Sequence, residues 1–293
     1  MKKILITGKN SYVGTSFEKW LMHFPGEYQV ELISLRGDAW KEKDFSAYDA
    51  VFHVAGIAHM KETKKNSNLY YKINCDLAYE VAKKARLDGV AQFLFLSSMS
   101  VYGINCGVIN STSILNPQSS YGKSKLKAEK LILNLDSEFF KVVVLRPPMI
   151  YGRGCKGNYQ KLSKIGLRIP IFPKVNNQRS MIYISNFCEF VRMLIKETRR
   201  GIYMPQNKEY ICTSQMVKLI GACNGNKIRL TRAINPILRV IKSTTLSKVF
   251  GSLVYEQKLS KVSFEYHIHD FNTSILLTER GDLYGRIKNR SIN

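Results

Sequence analysis

Tyr121 and Lys125 stand four residues apart in the run YGKSK, with Ser98 upstream. At that spacing a phenol and an ammonium share one face of a helix. A free phenol titrates near ~10 and is a poor base at neutral pH. A cation beside it favours the phenolate, so the spacing predicts a lowered phenol pKa. A serine hydroxyl bonded to the same substrate oxygen completes a set that moves a proton to or from an alcohol or a carbonyl. Such a set does nothing for a hydrogen bound to carbon, so a hydride carrier is required as well. Ser98 is taken as the catalytic serine, although Ser97 and Ser100 lie beside it and alternation in a strand sends Ser97 and Ser98 to opposite faces.

The carrier's site is expected at the other end of the chain. Lys2 to Thr7 (KKILIT) reads as a buried strand that runs straight into Gly8-Lys9-Asn10-Ser11-Tyr12-Val13-Gly14, and a helical pattern follows through Trp20 and Leu21. Strand, glycine turn and helix are the context that a dinucleotide demands. Gly8 makes the tight turn, Gly14 lets the helix pack close, and the helix N-terminus faces the pyrophosphate. Ser11 replaces the middle glycine of the usual pattern, so the match is imperfect. The second strand ends at Ser34 with Arg36 following, where an acid usually holds the adenosine ribose. Its absence, with an arginine nearby, admits a 2′-phosphate, so the expected cofactor is NAD or NADP.

The chain has 293 residues, enough for one main domain and a smaller lobe. No stretch approaches the ~18 apolar residues of a membrane span, and the first residues do not read as a signal peptide. Six cysteines, at 75, 106, 155, 188, 212 and 223, show no metal-type spacing. Scattered thiols suit a reducing cytoplasm, and no metal is expected. His53 and His59 read as packed or surface residues rather than ligands. The net charge of +23 is unusual. The lysines look spread along the chain, clusters such as Lys61 to Lys65 read as solvated faces, and no groove-reading motif occurs, so no nucleic-acid partner is expected. A basic field still attracts anionic substrates or brings the protein to anionic lipid head groups as a peripheral association.

The first half alternates strand and helix. Strands are expected near 29–35, 50–54, 92–96 and 142–145, with helices through Leu77, Val81 and Ala85 and from Tyr121 to about Asn134. This alternation argues for an α/β, doubly wound parallel sheet, with ligands at the carboxyl ends of its strands. Ser98, Gly56 and Pro147 all fall just after strands. Beyond Pro148 the pattern is less regular, with a short strand at 181–184 and helices at 187–197, 214–223 and 236–250. The expected division is a dinucleotide-binding domain over 1–148 and mainly a substrate lobe over 149–293, with some segments returning to the first domain.

In combination these features resemble the extended short-chain dehydrogenase/reductases, the NAD-dependent epimerase/dehydratase family. The resemblance is strongest from Met1 to about Glu197. It implies a Rossmann-type fold with a smaller C-terminal lobe. FLFLSSMSVYG (93–103) resembles that family's serine strand, and YGKSK supplies Tyr121 and Lys125, which also reach the cofactor. FHVAGIAH (52–59), with Val54, Ala55 and Gly56, resembles the loop lining the cofactor's ribose and nicotinamide side. The resemblance implies that Asp44 and Phe45 contact the adenine, that Asn74 in YYKIN is the structural asparagine, and that the Pro147 backbone in LRPPMIYGRG reaches the nicotinamide amide. It further implies that Asn158 and Arg179 contact a nucleotide diphosphate, for which a guanidinium fork is suited. The implied substrate is a nucleoside-diphosphate sugar, often UDP-linked, and the implied reaction is redox chemistry at C4. A 4-epimerase and a 4-keto reductase both stay open. Met149 stands where 4-epimerases carry a substrate-binding asparagine, and Met99 and Ser100 stand where a 4,6-dehydratase needs an acid/base pair. A homodimer formed through the Tyr121 helix is what the family implies. A non-catalytic dinucleotide-binding module is the alternative of another class.

Overall fold

In this computed structural model the described residues are 1–58, 60, 62–233, 235–236 and 249–281. His59, Lys61 and most of the helix expected over 236–250 lie outside them.

Six parallel strands form the central sheet, in the spatial order Gly201–Tyr203, Lys141–Leu145, Gln92–Leu96, Ala50–His53, Lys2–Thr7, Tyr28–Ile33. The four inner strands read as near-continuous apolar runs because both of their faces are covered, whereas the edge strand Tyr28–Ile33 alternates between half-buried and exposed residues. Ile4, Ile6, Phe52, Val143 and Leu145 turn to one core, shared with Val13 and Phe17 of helix Tyr12–Leu21 and with Phe187, Val191 and Leu194 of helix Ile184–Lys196. Leu5, Val51, Phe93, Phe95, Val142 and Val144 turn to the other, shared with Ala78, Val81, Ala82 and Ala85 of helix Leu77–Leu87 and with Ala128 and Ile132 of helix Ser120–Leu133. Alternate residues of one strand therefore feed two cores.

The chain leaves Lys2–Thr7 for the edge strand Tyr28–Ile33, then crosses back over it to Ala50–His53 on the other side. That reversal opens a crevice at the carboxyl ends of Lys2–Thr7 and Ala50–His53, the place where such sheets bind ligands. A four-residue helix, Ala39–Glu42, links the edge strand to the crossing, and no strand lies outside Tyr28–Ile33 among the described residues.

The second half of the chain is interwoven with the first. Gly201–Tyr203 completes the main sheet, and Leu253–Tyr255 pairs in parallel with Gly107–Ile109. Met149–Tyr151 pairs with Met181–Tyr183, and Ile171–Pro173 pairs with Arg229–Thr231. Helix Thr213–Cys223 is where the sequence pattern put it. No disulfide joins the cysteines, and among the described residues no helix is long and apolar enough to cross a membrane and no cluster of ligands could hold a metal.

Candidate active site

The glycine turn is built by steric necessity. Gly8 has φ +110°, and a Cβ there would lie 3.0 Å from the Ala55 amide nitrogen. A Cβ on Gly14 already meets Val54 Cγ2 at 3.0 Å and Ile6 Cγ2 at 3.1 Å. Both glycines therefore let the helix start press onto the Val54–Ala55 turn. Ser11 sits at φ −71°, ψ 133°, ordinary extended backbone, so this position does not require glycine. Its hydroxyl accepts the Gly14 N–H at 3.4 Å and caps the helix. The Tyr12 and Val13 amides stand in the first turn, where no intrahelical acceptor is available, and with exposed Asn10 they rim a mouth suited to a pyrophosphate.

Tyr121 and Lys125 occupy the first turns of helix Ser120–Leu133, which Ser119 caps by accepting the Gly122 N–H at 3.1 Å. The helix approaches the Met99–Tyr102 turn so closely that a Cβ on Gly122 would be 2.7 Å from the Ser100 carbonyl oxygen. The Ser98 hydroxyl caps that turn, accepting the Ser100 N–H at 3.1 Å and bonding the Ser100 hydroxyl at 3.1 Å, and it stands near enough to the Tyr121 phenol to lower its pKa. Ser97 points the other way and is buried, donating to Glu129. Of the neighbouring serines, Ser98 is the one whose hydroxyl acts on the Tyr121 phenol. Lys125 is buried; its Nζ donates to the Leu96 carbonyl at 2.7 Å, lies 4.6 Å from the centre of the Phe95 ring, and is 3.4 Å from where a Gly56 Cβ would be. The ammonium therefore stands at the crevice floor.

The electrostatics differ from the simple expectation. The Tyr121 phenol is raised, not lowered: burial dominates, the Ser98 hydrogen bond opposes it, and Tyr70 adds to it. Lys125 carries the larger perturbation, pushed down to about 8 by burial, with Glu129 opposing. Desolvation outweighs the phenol–ammonium attraction that the four-residue spacing predicts.

The other expected residues are placed as follows. Asn74 is fully buried in a π-helical turn, Lys72–Asp76. Its side-chain oxygen accepts the Ile57 N–H at 2.8 Å, and its amide donates to the Ile57 carbonyl at 3.0 Å and to Ser124 at 3.3 Å. It clamps the Val54–Gly56 loop to the Tyr121 helix, and its amide is spent on that task rather than left for a ligand. Phe45 is wholly buried and gives its N–H to Asp88 at 2.9 Å, so it offers no free edge to an adenine; Asp44 is exposed, accepting from Ser46. Arg36 is exposed just past the edge strand, where its N–H donates to Ser34 Oγ at 3.2 Å. Pro147 is buried, and its carbonyl accepts the Met99 N–H at 3.0 Å, tying the proline segment to the Ser98 turn.

Met149 pairs with Met181, while Arg179, two residues earlier, bridges Ile211 on one side and Leu253 on the other. Arg179 exchanges backbone bonds with Ile211 at 2.9 Å and donates from Nη1 to the Gly251 carbonyl at 3.0 Å. Burial lowers its guanidinium, and no carboxylate pairs with it among the described residues. Asn158 is exposed at the start of helix Asn158–Arg168, and no hydrogen bond joins it to Ser98, Tyr121 or Lys125.

One support escaped the sequence reading. Arg146 and Glu129 form a buried pair at 2.6 Å, with Tyr102 accepting from Arg146 at 3.1 Å, and so bind the Tyr121 helix, the proline segment and the serine turn together. The available signal was Glu129 four residues beyond Lys125, on the same helix face. His53, read from the sequence as a packed or surface residue, is wholly buried at the end of strand Ala50–His53 and bonds Thr7 at 2.8 Å, and burial pushes its imidazole down to about 3.

Comparison with known proteins accords with this geometry. Residues 4–204 match the model of the NAD dependent epimerase/dehydratase family. The chain belongs to that family. A UDP-glucose 4-epimerase of Vibrio cholerae is 28% identical over 245 residues, covering 74% of each chain. An Escherichia coli O157:H7 relative, the 4-epimerase of N-acetyl-glucosaminyl-diphospho-undecaprenol, is 25% identical over 77% of this chain and 73% of its own. Among solved structures, UDP-glucuronic acid 4-epimerase from Bacillus cereus, in complex with NAD, superposes with a TM-score of 0.72 at 16% identity, covering 95% of this chain and 98% of that one. The dTDP-4-dehydrorhamnose reductase of Bacillus anthracis, in complex with NADP, gives 0.72 at 18% identity with the same coverage. Epimerases and reductases of this family share the fold. The glycine cradle at Gly8, Gly14 and Gly56, which a Cβ would fill, fits the dinucleotide that the family is named for.

Proposed function

We propose that this epimerase/dehydratase-family chain carries out NAD(P)-dependent redox chemistry at C4 of a nucleoside-diphosphate hexose, UDP-linked, as a 4-epimerase. The carrying observation is the convergence of the Ser98 hydroxyl and the Tyr121 phenol with a buried Lys125 ammonium that stands beside Gly56 in the glycine crevice. Once bound, the nicotinamide supplies hydride acceptance from C4 and hydride return. Tyr121 takes the proton of the C4 hydroxyl as the carbon is oxidised and gives it back to the oxygen on reduction. Ser98 donates to that oxygen and holds it against the phenol. Lys125 supplies the positive charge that a buried phenolate needs, and its position beside Gly56 suits a bond to the cofactor ribose. Arg179, a half-buried guanidinium without a carboxylate, is suited to the diphosphate.

A 4-keto reductase using NADPH is the second reading. It is favoured by exposed Arg36 after an edge strand that lacks a terminal acid. Mass spectrometry of the purified protein for co-purifying NAD or NADP, followed by a panel of UDP-sugars, separates the two. Interconversion of UDP-glucose and UDP-galactose without added cofactor supports the epimerase. NADPH consumption with a UDP-4-keto-6-deoxy sugar supports the reductase. Bound dinucleotide with no turnover of any sugar in the panel would leave only a dinucleotide-binding module, and full turnover by a Tyr121→Phe protein would overturn the role given to Tyr121.

A further inference from the structure

We infer that the C-terminal lobe carries a docking face for an anionic lipid surface, formed by helix Asn158–Arg168 and the strand pair beside it. The charge of the chain is not evenly spread. Residues 149–255 hold 19 of the 45 basic residues and only three of the 22 acidic ones. Two of those three acids are already engaged, Glu189 in a buried pair with Arg192 at 2.6 Å and Glu197 with Arg199 at 2.6 Å.

The placement of the bases gives the excess a direction. Tyr159, Leu162 and Gly166 turn inward from helix Asn158–Arg168, while Lys161, Lys164, Leu167 and Arg168 form one exposed face at helical spacing. Glu279 meets the helix on its other side, through Tyr159 and Ser163. After two intervening residues the chain enters strand Ile171–Pro173, whose exposed Ile171 is in register with exposed Arg229 on the parallel neighbour. Parallel partners in register project to the same side. Asn226 donates to the carbonyls of Gly166 at 2.9 Å and Ile169 at 3.1 Å, which fixes the Arg229 strand against the helix end. Leu167 and Ile171 are 47% and 49% exposed among these cations. Aliphatic side chains ringed by lysine and arginine match the interfacial zone of a bilayer, where bases meet lipid phosphates and apolar groups enter the acyl boundary. A single-stranded nucleic acid would call for aromatic platforms beside the bases, and none of these exposed residues is aromatic.

The test is sedimentation of the full chain with phosphatidylcholine vesicles containing about one-third phosphatidylglycerol, in roughly 0.1 M salt. We expect binding to these vesicles and none to pure phosphatidylcholine. A Lys161→Gln/Lys164→Gln/Arg168→Gln protein should lose on the order of a hundredfold in partitioning, about fivefold per base. Leu167→Gln/Ile171→Gln should lose about tenfold more than added salt alone removes. Unchanged melting temperatures show that both variants remain folded. The inference is overturned by equal partitioning of wild type and the triple variant, by equal binding to uncharged vesicles, or by a random-sequence RNA that displaces the protein from vesicles and binds the Leu167/Ile171 variant undiminished.

Discussion

Lys125 gives the candidate site a pH dependence of its own. Its pKa, pushed down to about 8, is lowered because the fold removes the ammonium from water. The fold is therefore penalised while this lysine is charged. The penalty is complete below about pH 8 and fades as pH rises from there toward the ordinary lysine value of 10.5, because in that window the unfolded chain holds more protons. Stability from this site should rise across that window, and Lys125→Met should abolish that slope in denaturant titrations run at several pH values. Function should run the opposite way. A dinucleotide meeting a cation beside Gly56 should bind with constant affinity at neutral pH and more weakly as pH passes about 8, a dependence that fluorescence titration should find missing in Lys125→Met. Tyr121→Phe should keep that affinity while lowering turnover by about 10²–10⁴, the usual worth of a general acid–base group.

At the scale of elements, the site depends on close approach between neighbours more than on the residues that do chemistry. Gly56→Ala sets a Cβ 2.9 Å from the Asn74 side-chain oxygen and so strikes the clamp on the cofactor loop. It should weaken dinucleotide binding at least tenfold, while Ser11→Gly, at an ordinary backbone conformation, should change affinity little. Calorimetry on the two variants checks both expectations. The glycine turn, the parallel sheet and the order of helices were legible in the sequence because each rests on local periodicity or on a turn with a fixed steric need. The raised phenol of Tyr121 was not, because desolvation depends on residues such as Tyr70, distant in sequence. Nor was the loss of the Phe45 backbone donor to Asp88, a contact across 43 residues that no local pattern announces.

Across the whole molecule, the buried Arg146–Glu129 pair joins segments that every other feature of the site hangs from. Glu129→Gln leaves a guanidinium buried without its counter-charge, a loss of about 3–5 kcal/mol, which corresponds to a melting temperature lower by on the order of 10 °C. Differential scanning calorimetry would measure it. A homodimer through helix Ser120–Leu133, as the family implies, has to bring copies of its exposed Lys123, Lys127 and Lys130 together. Such a dimer should tighten as salt screens them, and size-exclusion chromatography at low and high ionic strength would show it. The pairing of Gly107–Ile109 with Leu253–Tyr255 bears on how the chain is made. The Ser98 turn packs through Val101 and Tyr102 onto Tyr255, which emerges from the ribosome about 150 residues afterwards, a wait of roughly 7–30 s at ordinary rates of synthesis. The Ser98 turn is thus expected to be completed late, and a nascent chain stalled before residue 253 should already hold its dinucleotide crevice yet show no turnover.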